Sequence, residues 1–168
     1  MATTLRPHVL ENPCFEAYYR RQGVCPEDEW DVFMGALRSE LPMAFRVNGG
    51  APTAETLLRQ LRDPTSSNNG PRALPWFPHG LAWQWDGVCS WALRKHAKHK
   101  TMKAQFAWLQ ECGAITRQEA VSMIPPLCLD LRPDHLVLDL CAAPGSKASQ
   151  IVEMMHWSGE RIPKGAIV

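Results

Sequence analysis

The chain has 168 residues, 45% of them apolar and 21% charged, which suits one ordinary domain or two small ones and excludes a multidomain machine. Lys and Arg number 18 against 17 Asp and Glu, a net charge of +1, so attraction to nucleic acid has to come from where the charges lie. No apolar run approaches the roughly 20 residues of a membrane span, and the polar start Met1-Ala-Thr-Thr-Leu-Arg-Pro7 has no signal-peptide core. A soluble intracellular protein without a membrane partner is expected. The six cysteines, at 14, 25, 89, 112, 128 and 141, form no Cys-x-x-Cys pair and no Cys/His cluster. They read as reduced thiols rather than a disulfide framework, and His96 and His99 lack further ligands, so no metal is expected.

Asn12-Pro13 opens a first amphipathic helix, and Pro26 precedes a second with apolar positions at 30, 33, 34 and 37. After Pro42, the segment 43–48 alternates apolar with polar and runs into Gly49-Gly50, which predicts a short strand and a turn. Residues 53–61 read as helix, and 63–71 as a loop of small and polar turn-formers. From Leu74 to Trp91 an irregular aromatic stretch carries Trp76, Trp83, Trp85 and Trp91, and packing explains such tryptophans more often than base stacking does. Arg94, Lys95, Lys98, Lys100 and Lys103 then fall within ten residues without an acid. As a helix this run places Lys95, Lys98 and Met102 on one face. It is a solvated face or a phosphate-binding one, and composition leaves both open.

Thr116-Arg-Gln-Glu119 has the form of a capping box, followed by a short helix that Pro125-Pro126 stops. Residues 134–140, with leucine or valine at 136, 137, 138 and 140, read as a strand buried on both faces of a parallel sheet. Cys141-Ala-Ala-Pro-Gly145 breaks it, and Ala148, Ile151, Val152 and Met155 recur at helical spacing. Gly165-Ala-Ile-Val168 looks like the opening of a second strand.

A tight loop of small residues at the carboxyl end of a parallel strand, opening a helix, is where α/β proteins bind nucleotide-like ligands. One glycine followed by Ser146-Lys147 does not make a Walker loop, and Cys141-Ala142-Ala143 stands where a dinucleotide fold wants its first glycine. Spacing leaves two readings: a loop lined with small side chains for S-adenosylmethionine, or a close-packed turn.

Asp139-Leu-Cys-Ala-Ala-Pro-Gly-Ser-Lys147 resembles the S-adenosylmethionine signature of the NOP/Sun-type RNA cytosine-5 methyltransferases, and Arg117-Gln-Glu-Ala-Val-Ser-Met-Ile-Pro-Pro126 resembles the helix upstream of it. Phe15-Glu-Ala-Tyr-Tyr19, the segment from Trp30 to Arg38, Leu41-Pro42, Arg46-Val-Asn48 and Leu74-Pro-Trp-Phe-Pro78 are similar to the eukaryotic tRNA branch. The resemblance implies an α/β fold: a small α+β RNA-binding module followed by the start of a Rossmann-like methyltransferase domain. On that reading residues 1–62 carry helices and strand of the module and 63–73 a loop. Residues 74–112 form a Trp-rich and basic helical region, and 113–168 an incomplete catalytic domain.

The resemblance further implies that Cys141, Ala142, Ala143, Pro144, Gly145, Ser146 and Lys147 line the S-adenosylmethionine site, largely through backbone. It sets Arg46 and Asn48 against tRNA or other RNA together with Arg94, Lys95, Lys98, Lys100 and Lys103, and it implies a nuclear location. Methylating cytosine C5 requires a thiolate at C6. The family's two cysteines for this lie in Pro-Cys-Ser/Thr and Thr-Cys-Ser contexts, which none of the six here matches. Cys141 is expected to line the cofactor site rather than act as nucleophile, and the chain is expected to be inactive alone. A non-catalytic RNA-binding derivative of such an enzyme is the competing reading; oligomeric state is not legible.

Overall fold

The computed structural model describes residues 11–63, 70–89, 100–157 and 162–168. Two compact units divide at Glu40/Leu41. The first holds α1 (Pro13–Gln22) and α2 (Trp30–Arg38). Asn12 caps α1 by accepting from the Phe15 amide at 3.1 Å, and Pro13 sits in the first turn, where its missing N–H costs nothing. Arg38 pairs with Glu16 at 2.6 Å, and the Arg20 guanidinium lies 4.7 Å from the Trp30 ring centroid. Both helices follow the predicted spacing.

The second unit is built on four antiparallel strands in the order β2-β3-β1-β4: β1 (Pro42–Val47), β2 (Arg72–Ala73), β3 (Ala82–Cys89) and β4 (Ile115–Arg117). Side chains alternate across a strand, and β1 uses both faces. Phe45 lies opposite Trp83 and Arg117, with Val47 opposite Ile115. This face packs on Phe106 of α4 (Lys100–Glu111), the Phe45 and Phe106 rings meeting edge to face at 5.1 Å. Leu57 and Leu61 of α3 (Ala54–Arg62) join the same core. On the opposite face, Arg46 stands between Ala82 and Thr116.

Three local expectations are corrected. The aromatic stretch contains the eight-residue strand β3, because tryptophan and valine suit a pleated surface and β1 and β2 satisfy its backbone on either edge. Trp83 is buried, its indole N–H donating to Gly80 O at 3.1 Å, while Trp76 is exposed. Thr116 is no helix cap: it lies in β4, and Glu119 is extended with no capping hydrogen bond before the 3₁₀ turn Ala120–Met123. The Gln118 amide instead donates to Ala44 O of β1 at 3.2 Å. Pro125 and Pro126 do not stop a helix either; they open the single helical turn α5 (Ile124–Leu127), where proline is tolerated.

The predicted strand, loop and helix are present as β5 (Leu136–Val137), the 138–145 loop and α6 (Ser146–Met155), and β6 (Ala166–Ile167) pairs parallel with β5. The expected burial of β5 is not. Leu136 is 81% exposed and Leu140 89%, since β5 has a two-residue partner on one edge and no other among the described residues. At Gly165 an added Cβ would collide with the His135 carbonyl oxygen, so glycine is what lets the two short strands approach. Residues 41–62 lie in the compact unit that continues to Val168. No helix among the described residues is long and apolar enough to cross a membrane.

Candidate functional site

The candidate loop begins where β5 ends. Asp139 accepts from the Cys141 amide at 3.0 Å and turns the chain, after which Cys141, Ala142, Ala143 and Pro144 are all exposed. Gly145 has φ +98°, a left-handed conformation open to glycine and strained for other residues. It stands at the N-cap of α6 without a side-chain cap, and its carbonyl accepts from Ser149 at 2.8 Å. The first-turn amides of a helix have no intrahelical acceptor. Here those of the half-buried Ser146 and Lys147 adjoin the exposed small-residue segment. This satisfies what a ligand needs in order to approach backbone: small side chains, orphan donors and a surface position.

Beneath the loop lies a buried polar network. Arg46, 1% exposed, donates from Nε to Gln118 Oε1 at 2.5 Å and from Nη2 to Ser149 Oγ at 3.2 Å. A longer contact of 3.4 Å reaches the Ser146 carbonyl, and Nη1 donates to Glu153, which is 14% exposed and also hydrogen-bonded by Thr116. Gln118 Nε2 donates to Gln150 Oε1 at 3.0 Å and to Ser122 O at 2.9 Å, and Gln150 donates to Met123 O at 2.8 Å. Among the described residues no buried side-chain nitrogen or oxygen is left without a partner. Burial lowers the Arg46 pKa against the pull of Glu153; burial likewise raises that of Glu153 against the pulls of Arg46 and Thr116.

The positions expected to touch RNA divide. Arg46 is correctly read as lying on a strand but points into the protein, where no base or phosphate reaches it. Small neighbours at Ala82 and Thr116 leave room for its guanidinium. Asn48 holds a turn: it accepts from Gly50 N at 3.1 Å and donates to Gly113 O at 3.2 Å. Lys100 and Lys103 are exposed at the start of α4, whereas Met102 packs against the core. Arg94, Lys95 and Lys98, like His96, His99 and Trp91, lie outside the described residues. Among those described, no three His, Cys, Asp or Glu side chains gather as metal ligands. Sequence reasoning missed Gln118, Gln150 and Glu153. The available signal was polar residues recurring three apart on the helix that also buries Ile151 and Met155.

No protein-family model matches the chain. It is 37% identical over 95% of its length to a multisite-specific tRNA:(cytosine-C(5))-methyltransferase of Saccharomyces cerevisiae, of which it covers 25%. A Schizosaccharomyces pombe protein of the same description is 40% identical over 88% of the chain, which covers 24% of it. The chain is homologous to part of the RNA cytosine-5 methyltransferases. It spans about a quarter of the length of the curated relatives it matches. A solved structure described as a methyltransferase homolog protein from Pyrococcus horikoshii superposes with a TM-score of 0.56 at 22% identity. That match covers 94% of this chain and 47% of that one, so the mixed helix and strand fold matches about half of that structure. The sequence resemblance to this family and the fold class both hold.

Proposed function

We propose that the chain supplies the RNA-facing module and the first cofactor-binding segment of an S-adenosylmethionine-dependent tRNA cytosine-5 methyltransferase that acts in the nucleus. One observation carries this: the exposed small-residue loop between parallel β5 and α6, in a chain similar along nearly its whole length to enzymes named for that reaction. Cys141, Ala142, Ala143, Pro144, Gly145, Ser146 and Lys147 are the residues to hold the cofactor, their small side chains giving access to backbone donors. When bound, it supplies an electrophilic methyl group.

Cys141 belongs to the lining, not the chemistry. Its neighbours are an aspartate-bound turn and two alanines, the setting of a small lining residue. Lys100 and Lys103, with Arg94, Lys95 and Lys98, provide charge for RNA phosphates, an interaction that weakens steeply with salt. Arg46 and Asn48 are not assigned to RNA, because internal groups already engage them.

An exposed loop cannot bury most of a ligand, so the isolated chain should bind cofactor weakly. Photocrosslinking with labelled S-adenosylmethionine at high concentration detects weak sites. Label should map to the peptide containing residues 141–147; label confined to other peptides would remove the cofactor assignment. Incubation with labelled S-adenosylmethionine and unmodified tRNA should give no 5-methylcytosine. Cysteine-dependent product would place a nucleophile among the six thiols present.

A further inference from the structure

Arg46 belongs to β1, and the loop it affects lies about one hundred residues further along the chain. We propose that Arg46, with Gln118, Gln150 and Glu153, positions α6 on the four-stranded sheet and thereby sets where the Cys141–Lys147 loop stands. What the loop binds rests on the function proposed above; the mechanical role of the network does not.

A guanidinium is a rigid planar fork, and this one grips α6 at two levels: the Ser146 carbonyl and Ser149 hydroxyl in the first turn, and the Glu153 carboxylate about one turn further on. Contacts at two levels of one helix fix its rotation as well as its height. The third direction of the fork goes to Gln118, just past β4, and Gln118 returns to α6 through Gln150. The same face is therefore held from β1 and from the β4 side. At its start α6 has no side-chain cap; the turn that adjoins the loop is closed through Ser149, whose N–H donates to Gly145 O at 2.8 Å and whose hydroxyl donates to Ser146 O at 3.1 Å, and Arg46 fixes that same serine from the sheet.

Energetics point the same way. On both Arg46 and Glu153 the largest influence is burial, which favours the neutral form of each despite the pairing. A buried pair of this kind returns little net stability over apolar packing. What it supplies that apolar side chains do not is direction. An apolar helix face tolerates small rotations, whereas a satisfied network of directional bonds has one arrangement. Lysine at 46 keeps the charge, but as a single donor centre it cannot serve Gln118, Ser149 and Glu153 together.

Native-state amide exchange on the full 168-residue chain, without cofactor, separates positioning from general support. In Arg46→Lys, protection of amides within Ser149–Met155 should fall roughly 10- to 100-fold, while β3 amides stay close to wild type and the Gly145, Ser146 and Lys147 amide resonances shift. Glu153→Gln retains length and acceptor, and should keep α6 protection within about threefold. Equal loss in β3 and α6 would reduce Arg46 to a contributor to global stability, and no loss in α6 would remove the proposal. If circular dichroism shows that Arg46→Lys does not fold, Ser149→Ala takes its place, with a loss of about threefold or more confined to α6. An unchanged α6 there overturns the proposal equally. Cofactor crosslinking that misses residues 141–147 would defeat the functional reading and leave this result standing.

Discussion

The two sheets of the second unit use the same kinds of residue and treat them oppositely. In the four-stranded sheet β1 is flanked on both edges, Phe45 and Val47 are buried under α4 and α3, and even an arginine is enclosed. In β5 and the segment that leaves it, the leucines at 136, 138 and 140 are exposed. Apolar composition calls for burial, but only neighbouring elements provide it. The difference should be visible in single substitutions.

The largest expected effect is Phe45→Ala, which empties the centre of the larger core and should cost about 3–5 kcal/mol in urea unfolding. Leu140→Ala should stay within about 0.5 kcal/mol. A cost near that of Phe45 would show that the β5 surface is covered in solution and end the contrast. Gly165→Val comes next: its Cβ would collide with His135 O, which here accepts from Ala166 at 3.1 Å. Exchange protection at Ala166 and Val168 should vanish while that of β1 persists, which tests whether the small sheet opens on its own. Gly145→Ala forces a side chain into φ +98° and should destabilise by about 1 kcal/mol, read as a lower urea midpoint.

A smaller effect depends on pH. Burial holds the Glu153 carboxyl above its ordinary value of 4.5. The folded state therefore binds this proton more tightly than the unfolded one. The resulting contribution is fully present below the unfolded pKa and is lost as pH rises through the folded one. Wild-type stability relative to Glu153→Gln should accordingly fall with rising pH across that window and be flat above it; an opposite slope would mean that the Arg46 pairing outweighs burial. Smallest of all in stability, neutralising Lys95, Lys98 and Lys100 together should change unfolding by less than about 0.5 kcal/mol. It should nevertheless weaken tRNA binding and flatten its salt dependence, the log–log slope falling by about one for each phosphate that is no longer neutralised. Unchanged affinity and slope would make this a solvated face.

The legibility of the fold follows the same divide. Segments that satisfy themselves locally could be read: α1 through Asn12 and Pro13, β1 through its alternation, and α6 through its apolar spacing. The failures came where distant partners decide. Thr116 and Glu119 have capping spacing, but β1 claims Thr116 for a ladder. The 136–140 run has the pattern of a buried strand, but no element among the described residues covers Leu136, Leu138 or Leu140. At the site, the loop and its glycine were legible because the sequence motif is local. Arg46 was not, since a charged residue at an alternating position ordinarily marks the solvent face, and its acceptors lie between 72 and 107 residues away.

That separation has a consequence for how the protein is made. At ordinary synthesis speeds, on the order of ten seconds pass between the ribosome adding Arg46 and adding Glu153. Its partner Gln118 is added 72 residues after it, and the acceptors on α6 come last. Strands β1 to β4 are complete in the nascent chain before α6 exists, so one face of the sheet can consolidate around Phe45 while the other waits. Closing a loop of this length is entropically slow. The face that carries the arginine is therefore the last to be sealed, and α6 with its loop joins a platform already built.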